Sequence, residues 1–498
     1  MSSDPQIEQV SALCGDCGAP LSFALGTVQT TCGFCNAGMV MGEQARVVRL
    51  RCPACSGNFY YIDGKMGGQC PYCETPLVML TRDRLLRFII RPASEPPTPA
   101  AEMIFVPFWH LTGLIYGWDF GSRVSTQLER GVGPKGENQA PERVSRDHGP
   151  QKIFRGRVVD RWLADPSGRA LGLHSLRWRG AIHPLEPLTA EHEQLGHLLP
   201  IYLPVEEARG ALQDMAMGAG ATDGITKLAC QRADLVAQTL SLLYYPFWRV
   251  DGELFDGVNG DQETLLTPTD APSSSPTSGF DELSIVELRC KGCGERLSPS
   301  SGALVFPCHK CDTFWVAGRD GLAPFSAAYA EPRLSAEDAP VVWLPFWRVE
   351  TTLHMAAKTS RCVGDLRNAL GVRSLSGEGG SDPDDALCYF VPAYGAMRAP
   401  RLDFAARDLT RMLPRLRAGR YTGGDNFACF FGPDDARRLG YVVWLQILSG
   451  TPRRIASLRV ETGDVALWYV PFADLGRELH NLLTGARYDR AAFRGVSH

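Results

Sequence analysis

Residues 52–73 read CPACSGNFYYIDGKMGGQCPYC, two Cys-x-x-Cys pairs with fourteen residues between them. A Cys-x-x-Cys turn aims two thiolates at one point, and small residues beside it let backbone N–H groups face the sulfurs. Fourteen residues suffice for two short strands and a turn, and Asp63-Gly64 supplies the turn material. Four soft sulfur donors brought together in this way favour a closed tetrahedral metal site.

The same spacing occurs twice more. Cys14, Cys17, Cys32 and Cys35 form one set, with Gly26 in the gap, and Cys290, Cys293, Cys308 and Cys311 form another, with Ser300-Ser301-Gly302. Twelve of the sixteen cysteines are accounted for. The three blocks resemble zinc ribbons of the rubredoxin-like kind, over the 22 residues from first to last cysteine and no further. The resemblance implies three structural Zn2+ per chain with these twelve cysteines as ligands, because four thiolates leave no open position for catalysis. Iron fits the same ligand set. No βαβ pattern surrounds any pair, which argues against thioredoxin-like redox work. His309, between Cys308 and Cys311, reads as an exposed side chain. Cys230, Cys362, Cys388 and Cys429 share no spacing and read as buried structural thiols.

The chain has 498 residues, and 44% of them are hydrophobic and 21% charged, the balance of a globular protein of about three domains. The net charge is −4, so any nucleic-acid site has to be a local patch. The longest apolar stretches, 235–248 and 440–448, are too short to span a membrane, and no secretory leader is evident. The expected location is the cytoplasm, where many cysteines argue for metal rather than disulfides.

A second repeat is aromatic. Pro107-Phe108-Trp109 recurs as Pro246-Phe247-Trp248 and Pro345-Phe346-Trp347, with a shortened copy at Pro471-Phe472. Each reads as a buried strand with an edge or bulge at the proline. Ala170–Leu176 is echoed by Ala369–Leu375, and Pro200-Ile201-Tyr202 by Pro392-Ala393-Tyr394. The expected fold is α+β: three small ribbons plus a duplicated α+β module rich in antiparallel strands. The divisions are ribbon one at 1–46, ribbon two at 47–91 and the first module at 102–266. A linker at 267–284, ribbon three at 285–320 and the second module at 321–498 follow. Helices are expected at 206–217, 226–243, 404–413 and 473–483, a spacer at 92–101 and a loop at 131–150. The chain looks like bacterial proteins that combine several zinc ribbons with Pro-[Phe/Tyr]-Trp strands.

No nucleophile elbow, zincin motif or phosphate-binding loop is present; Gly218, Gly220 and Gly224 precede Lys227 in the wrong order. Asp382-Pro383-Asp384-Asp385 reads as a solvated loop. The expectation is a non-enzymatic adaptor or scaffold for protein partners, with neither membrane nor small-molecule substrate. The alternative is DNA or RNA binding, through the ribbons and two arginine tracts. These contribute Arg155, Arg157, Arg161, Arg177 and Arg179, then Arg407, Arg411 and Arg415.

Overall fold

In the computed structural model the described residues are 9–13, 20–24, 29–31, 38–40, 47–62, 67–81, 83–129, 142–165, 185–218, 227–258, 260, 262–263, 279–299, 303–355, 358–370, 381–394, 404–448 and 457–493. They are rich in strands, with few helices. Ribbon two consists of β1 (Val47–Arg51), β2 (Asn58–Ile62), β3 (Gly67–Gln69) and β4 (Pro76–Leu80). Each Cys-x-x-Cys pair forms the turn of a hairpin, since Arg51 faces Asn58 and Gln69 faces Pro76.

Three strands follow, β5 (Leu86–Ile90), β6 (Glu102–Glu129) and β7 (Glu142–Ala164). After helix α1 (Val205–Gly218), the chain returns as β8 (Lys227–Val250) and turns back as β9 (Glu253–Asp256). Strand β6 lies between β7 and β8, antiparallel to both, and β8 runs parallel to β5. Strand β10 (Ser284–Glu287) leads into ribbon three, whose main hairpin is β11 (Val305–Cys308) and β12 (Thr313–Gly318); β13 (Gly321–Phe325) extends it.

The second half contains β14 (Ala327–Ala330), β15 (Val341–Met355), β16 (Cys388–Pro392), β17 (Arg459–Asp474) and β18 (Glu478–Asn481). Its helices are α2 (Val363–Leu370), α3 (Phe404–Met412), α4 (Pro433–Arg438) and α5 (Gly440–Ile447). Strand β15 lies between β16 and β17, antiparallel to both, and β17 runs parallel to β14.

The four repeated prolines explain this arrangement. None sits at a bulge, nor at an outer edge as the sequence suggested; each marks a seam where its strand changes partner. Before Pro107, Ile104 and Phe105 face the parallel strand His197–Leu198, and from Phe108 onward β6 faces β7. Before Pro345, Val342 and Trp343 face the parallel strand Asp425–Asn426, and from Phe346 onward β15 faces β16. Pro246 separates the β5 and β9 pairings of β8, as Pro471 separates the β14 and β18 pairings of β17. A missing N–H costs little at such a seam, and the carbonyl is still used. Pro107, Pro246, Pro345 and Pro471 accept from the N–H of Asp165, Gly257, Ala393 and Leu482 at 2.9–3.0 Å. The register is the same in both halves: Pro107 faces Tyr244 and Phe105 faces Pro246, while Pro345 faces Tyr469 and Trp343 faces Pro471.

Most motif aromatics are core, as expected: Phe108, Trp109, Phe346 and Phe472 are fully buried, whereas Trp248 is half-buried. The Trp109 indole donates to Asp165 and that of Trp347 to the Phe431 carbonyl.

Several sequence expectations are overturned. The helix expected at 226–243 is strand from Lys227 onward, because both faces of β8 are covered; Leu240 and Leu242 pack toward α1 while Leu243 packs toward ribbon two. Segment 473–483 is a hairpin turning at Gly476 (φ +80°), with Leu479 and Asn481 buried in alternation. The expected loop 131–150 is strand from Glu142 onward. The echo of Pro200 at Pro392 does not hold. Pro392 occupies the place of Ala164, while the 197–198 strand corresponds to 425–426. Residues 170–176 and 371–375 lie outside the described residues, as do Gly220 and Gly224. Helices at 206–217 and 404–413 match α1 and α3. Helix α5, hydrophobic on every side and buried, carried no periodic signal.

The halves pack together through the far part of β6 and β8. Opposite Gly113, β8 has an extra residue, with Ala237 at φ +50°. This bulge frees the Ala237 N–H, which donates to Asp435 Oδ1 at 2.9 Å; the other oxygen of Asp435 accepts from the Gly432 N–H at the start of α4. Nearby the Trp118 indole donates to the Val442 carbonyl at 3.0 Å, and Tyr116 meets Phe431 edge-on. Leu114, Tyr116, Phe120 and Val236 thus join the core of the second half, with Val78 and Leu80 of ribbon two.

Candidate metal centres

Hairpin turns bring each set of four cysteines together. In ribbon two the Sγ atoms of Cys52 and Cys73 are 3.7 Å apart, as are those of Cys55 and Cys70. In ribbon three Cys290 and Cys311 are 3.6 Å apart and Cys293 and Cys308 3.5 Å. Each set of four sulfurs lies within 4.8 Å, and either group could hold a metal ion. A tetrahedron with metal–sulfur bonds of about 2.3 Å has edges of about 3.8 Å, so the donor sets fit zinc closely. All eight are free thiols, too far apart for disulfides.

The turns share a construction that spacing alone did not reveal. The residue after each second cysteine is left-handed: Ser56, Glu74, Gly294 and Asp312 have φ of 62°, 57°, 76° and 53°. This bend turns the backbone back, so that the N–H of Cys52, Cys70 and Cys290 reaches the carbonyl of Gly57, Thr75 and Glu295. Two threonines were also missed. Thr75 Oγ1 lies 3.2 Å from Cys73 Sγ and Thr313 Oγ1 3.1 Å from Cys311 Sγ. The Trp315 indole donates to the Thr313 oxygen at 3.2 Å, leaving that hydroxyl proton to the sulfur. A threonine two residues after the last cysteine was the available signal; the first block has Ala37 there.

These contacts divide the thiols. The Thr75 hydroxyl holds Cys73 down at about 6. Burial pushes Cys290 up, but the backbone N–H of Cys293 and the Thr313 hydroxyl outweigh it and bring the thiol to about 5. Burial raises Cys70 and Cys308 to about 12. Some sulfurs are therefore ready as thiolates, and the others need the cation to deprotonate them.

The two sites are joined. Strand β4, which leaves the Cys70–Cys73 turn, pairs on one side with β3 and on the other with β10. The Leu288 N–H, two residues before Cys290, donates to the Pro76 carbonyl at 2.8 Å. Around this sheet Arg84 donates to the Glu282 carbonyl and Ser284, and Asp281 pairs with Arg319 and accepts from the Leu85 N–H.

Other candidates fall differently. Cys14, Cys17, Cys32 and Cys35 lie outside the described residues, as do Arg177, Arg179 and the side chain of Arg155. His309 is no ligand; it stacks on Tyr421 at 4.1 Å. Cys388 and Cys429 are buried and Cys362 half-buried. Arg407 pairs with Asp408 and lies over Phe404, while Arg415 pairs with Asp382 and Asp385 in the acidic loop. Arg411 is exposed, and Arg157 and Arg161 are half-buried on β7. His192, buried, contacts Glu186 at 2.9 Å, and Arg91 and Arg49 also donate to Glu186. No helix among the described residues is long and apolar enough to cross a membrane.

Comparison with protein-family models, curated proteins and solved structures yields no match to this chain.

Proposed function

We propose that this chain is a non-enzymatic zinc-stapled scaffold that presents a rigid two-lobed body to protein partners in the cytoplasm. The observation that carries this reading is the β3–β4–β10 sheet, which joins the two described metal sites and ties the first half to the second. Small ribbons bury little surface, so bound metal stands in for a missing core. The identical proline registers support descent of the halves from one duplicated module. The sequence of the first block supports a third zinc.

Metal analysis of protein purified without chelator, followed by crosslinking in its own cells with and without nuclease, tests the reading. The expected result is zinc in both described sites, and a nuclease-resistant partner whose crosslink is lost in the C290S variant. Fewer than two equivalents of metal, or a partner indifferent to C290S, would refute it.

A nucleic-acid reading keeps one specific support. Arg157 and Arg161 share a face of β7, which among the described residues forms the outer edge of its sheet. Reversing both charges then flattens the salt dependence of DNA or RNA binding, and an unchanged slope removes these residues as the site. The acidic partners of Arg407 and Arg415 count against the second tract.

A further inference from the structure

A cavity of about 780 Å³ opens where β8 of the first half meets β15, β17 and α5 of the second. Its walls include Arg232 from β8, His354 from β15, Tyr441 from α5, Ser457 just before β17, and Arg459 and Glu461 at its start. The volume falls within the range of small-molecule sites, and the chemistry is polar. The Arg232 guanidinium lies over the Tyr441 ring, 5.5 Å from its centre, which fixes one cation in place. Strand register places Arg459 directly opposite His354. His354 Nδ1 lies 3.1 Å from the Thr359 hydroxyl, and its Nε2 lies 3.1 Å from Glu461 without hydrogen-bond geometry. No ion-pair partner for Arg459 occurs among the described residues. Asp234, on the same face of β8 as Arg232, is a further carboxyl near it; burial raises its pKa, with Arg438 and Arg232 opposing.

We infer that this cavity binds a small phosphate ester. Two guanidinium groups carried by different lobes line this one cavity, and a phosphoryl group presents them three oxygens and a larger charge where a carboxylate presents two oxygens. Tyr441 and the remaining volume suit an organic body, with the Glu461 carboxylate available to its hydroxyls. Because both lobes supply an arginine, the ligand would bridge them at the same junction as the Ala237–Asp435 bond. The inference does not depend on the scaffold reading or on which metal is bound.

Isothermal titration of the full, metal-loaded chain at constant ionic strength tests it, with ribose 5-phosphate as probe and ribose and malonate as comparisons. Ribose 5-phosphate is expected to saturate one site per chain and ribose to give no saturable heat. The R459A variant should weaken binding by about tenfold or more, the loss of one charge-assisted pair, and R459K by less. The exposed control R477A should bind like wild type. Zinc content and tryptophan fluorescence verify that each variant is folded. Absence of saturable binding, equal losses in R459A and R477A, or equal binding of ribose would overturn the site. Tighter binding of malonate would overturn the phosphate assignment.

Discussion

Replacing Cys70 with serine should expose a strand about two hundred residues away. Strand β4 leaves the Cys70–Cys73 turn with every residue buried, and Leu77, Val78, Met79 and Leu80 are each less than 5% exposed. Burying four such side chains contributes about 6–12 kcal/mol. Ordering the five residues of the strand costs about 8 kcal/mol. The difference is within a few kcal/mol of zero, so burial alone leaves β4 marginal. A structural zinc contributes about 10–16 kcal/mol in small zinc domains, and this decides whether β4 forms. Once β4 is released, β10 loses its only sheet partner among the described residues and Leu288 loses the bond to Pro76. Hydrogen exchange read by mass spectrometry on the peptide covering 283–288 reports this directly. The expected outcome in C70S is a fall in protection of about tenfold or more, each factor of ten being about 1.4 kcal/mol of lost local stability. Metal content should drop by one equivalent. Unchanged protection at 283–288, with the metal gone from ribbon two, would refute the idea that the sites share one sheet.

Three further outcomes are expected. Replacing Thr75 with valine removes the hydroxyl that keeps Cys73 near 6, so protons compete better and half-release of metal moves to higher pH; a zinc-indicator titration checks it. Glu186 is held near 2 rather than 4.5: burial opposes this, but Arg91 and His192 donate to it more strongly. Its depressed pKa contributes stability that is complete above pH 4.5 and lost as pH falls toward 2. With Arg91 half exposed, E186Q should cost about 2–3 kcal/mol, and the fall in Tm should be constant from pH 8 to 5.5; a difference that vanishes in that window contradicts a carboxyl held low. Finally, P345A should cost less than about 1 kcal/mol, since its N–H would enter a seam, whereas F346A should cost about 3–5 kcal/mol. Thermal unfolding distinguishes the two, and equal losses would show that the proline itself holds the register.

The two described four-cysteine clusters were legible because a chelate turn fixes its spacing in the chain. The hydroxyls that adjust them were not, since a lone threonine after a cysteine carries no periodic signal. The aromatic repeat announced buried strands, and these carry the core of both halves. What it hid was the reason for proline, which depends on two partners distant in sequence. Segment 226–243 misled for a related reason. A strand covered on both faces loses its two-residue alternation, and Leu240, Leu242 and Leu243 then resemble one side of a helix. The docking of the halves was invisible because its polar contact at the junction joins a bulge at Ala237 to one carboxylate at Asp435. Neither has a recognisable sequence signature.

The proline seams also separate what must be kept from what is free to grow. Strand β6 runs for 28 residues and β15 for 15, yet both place the same three residues at the same crossing. A one-residue slip would carry the proline into a ladder position that demands a donor and would turn every aromatic outward. The crossing therefore works as a pinned joint, with arms beyond it whose length is not prescribed. An inserted hairpin, a binding loop or a tag placed past Trp109 or Trp347 would lengthen an arm without shifting the pin, making each lobe a frame with a built-in site for extension.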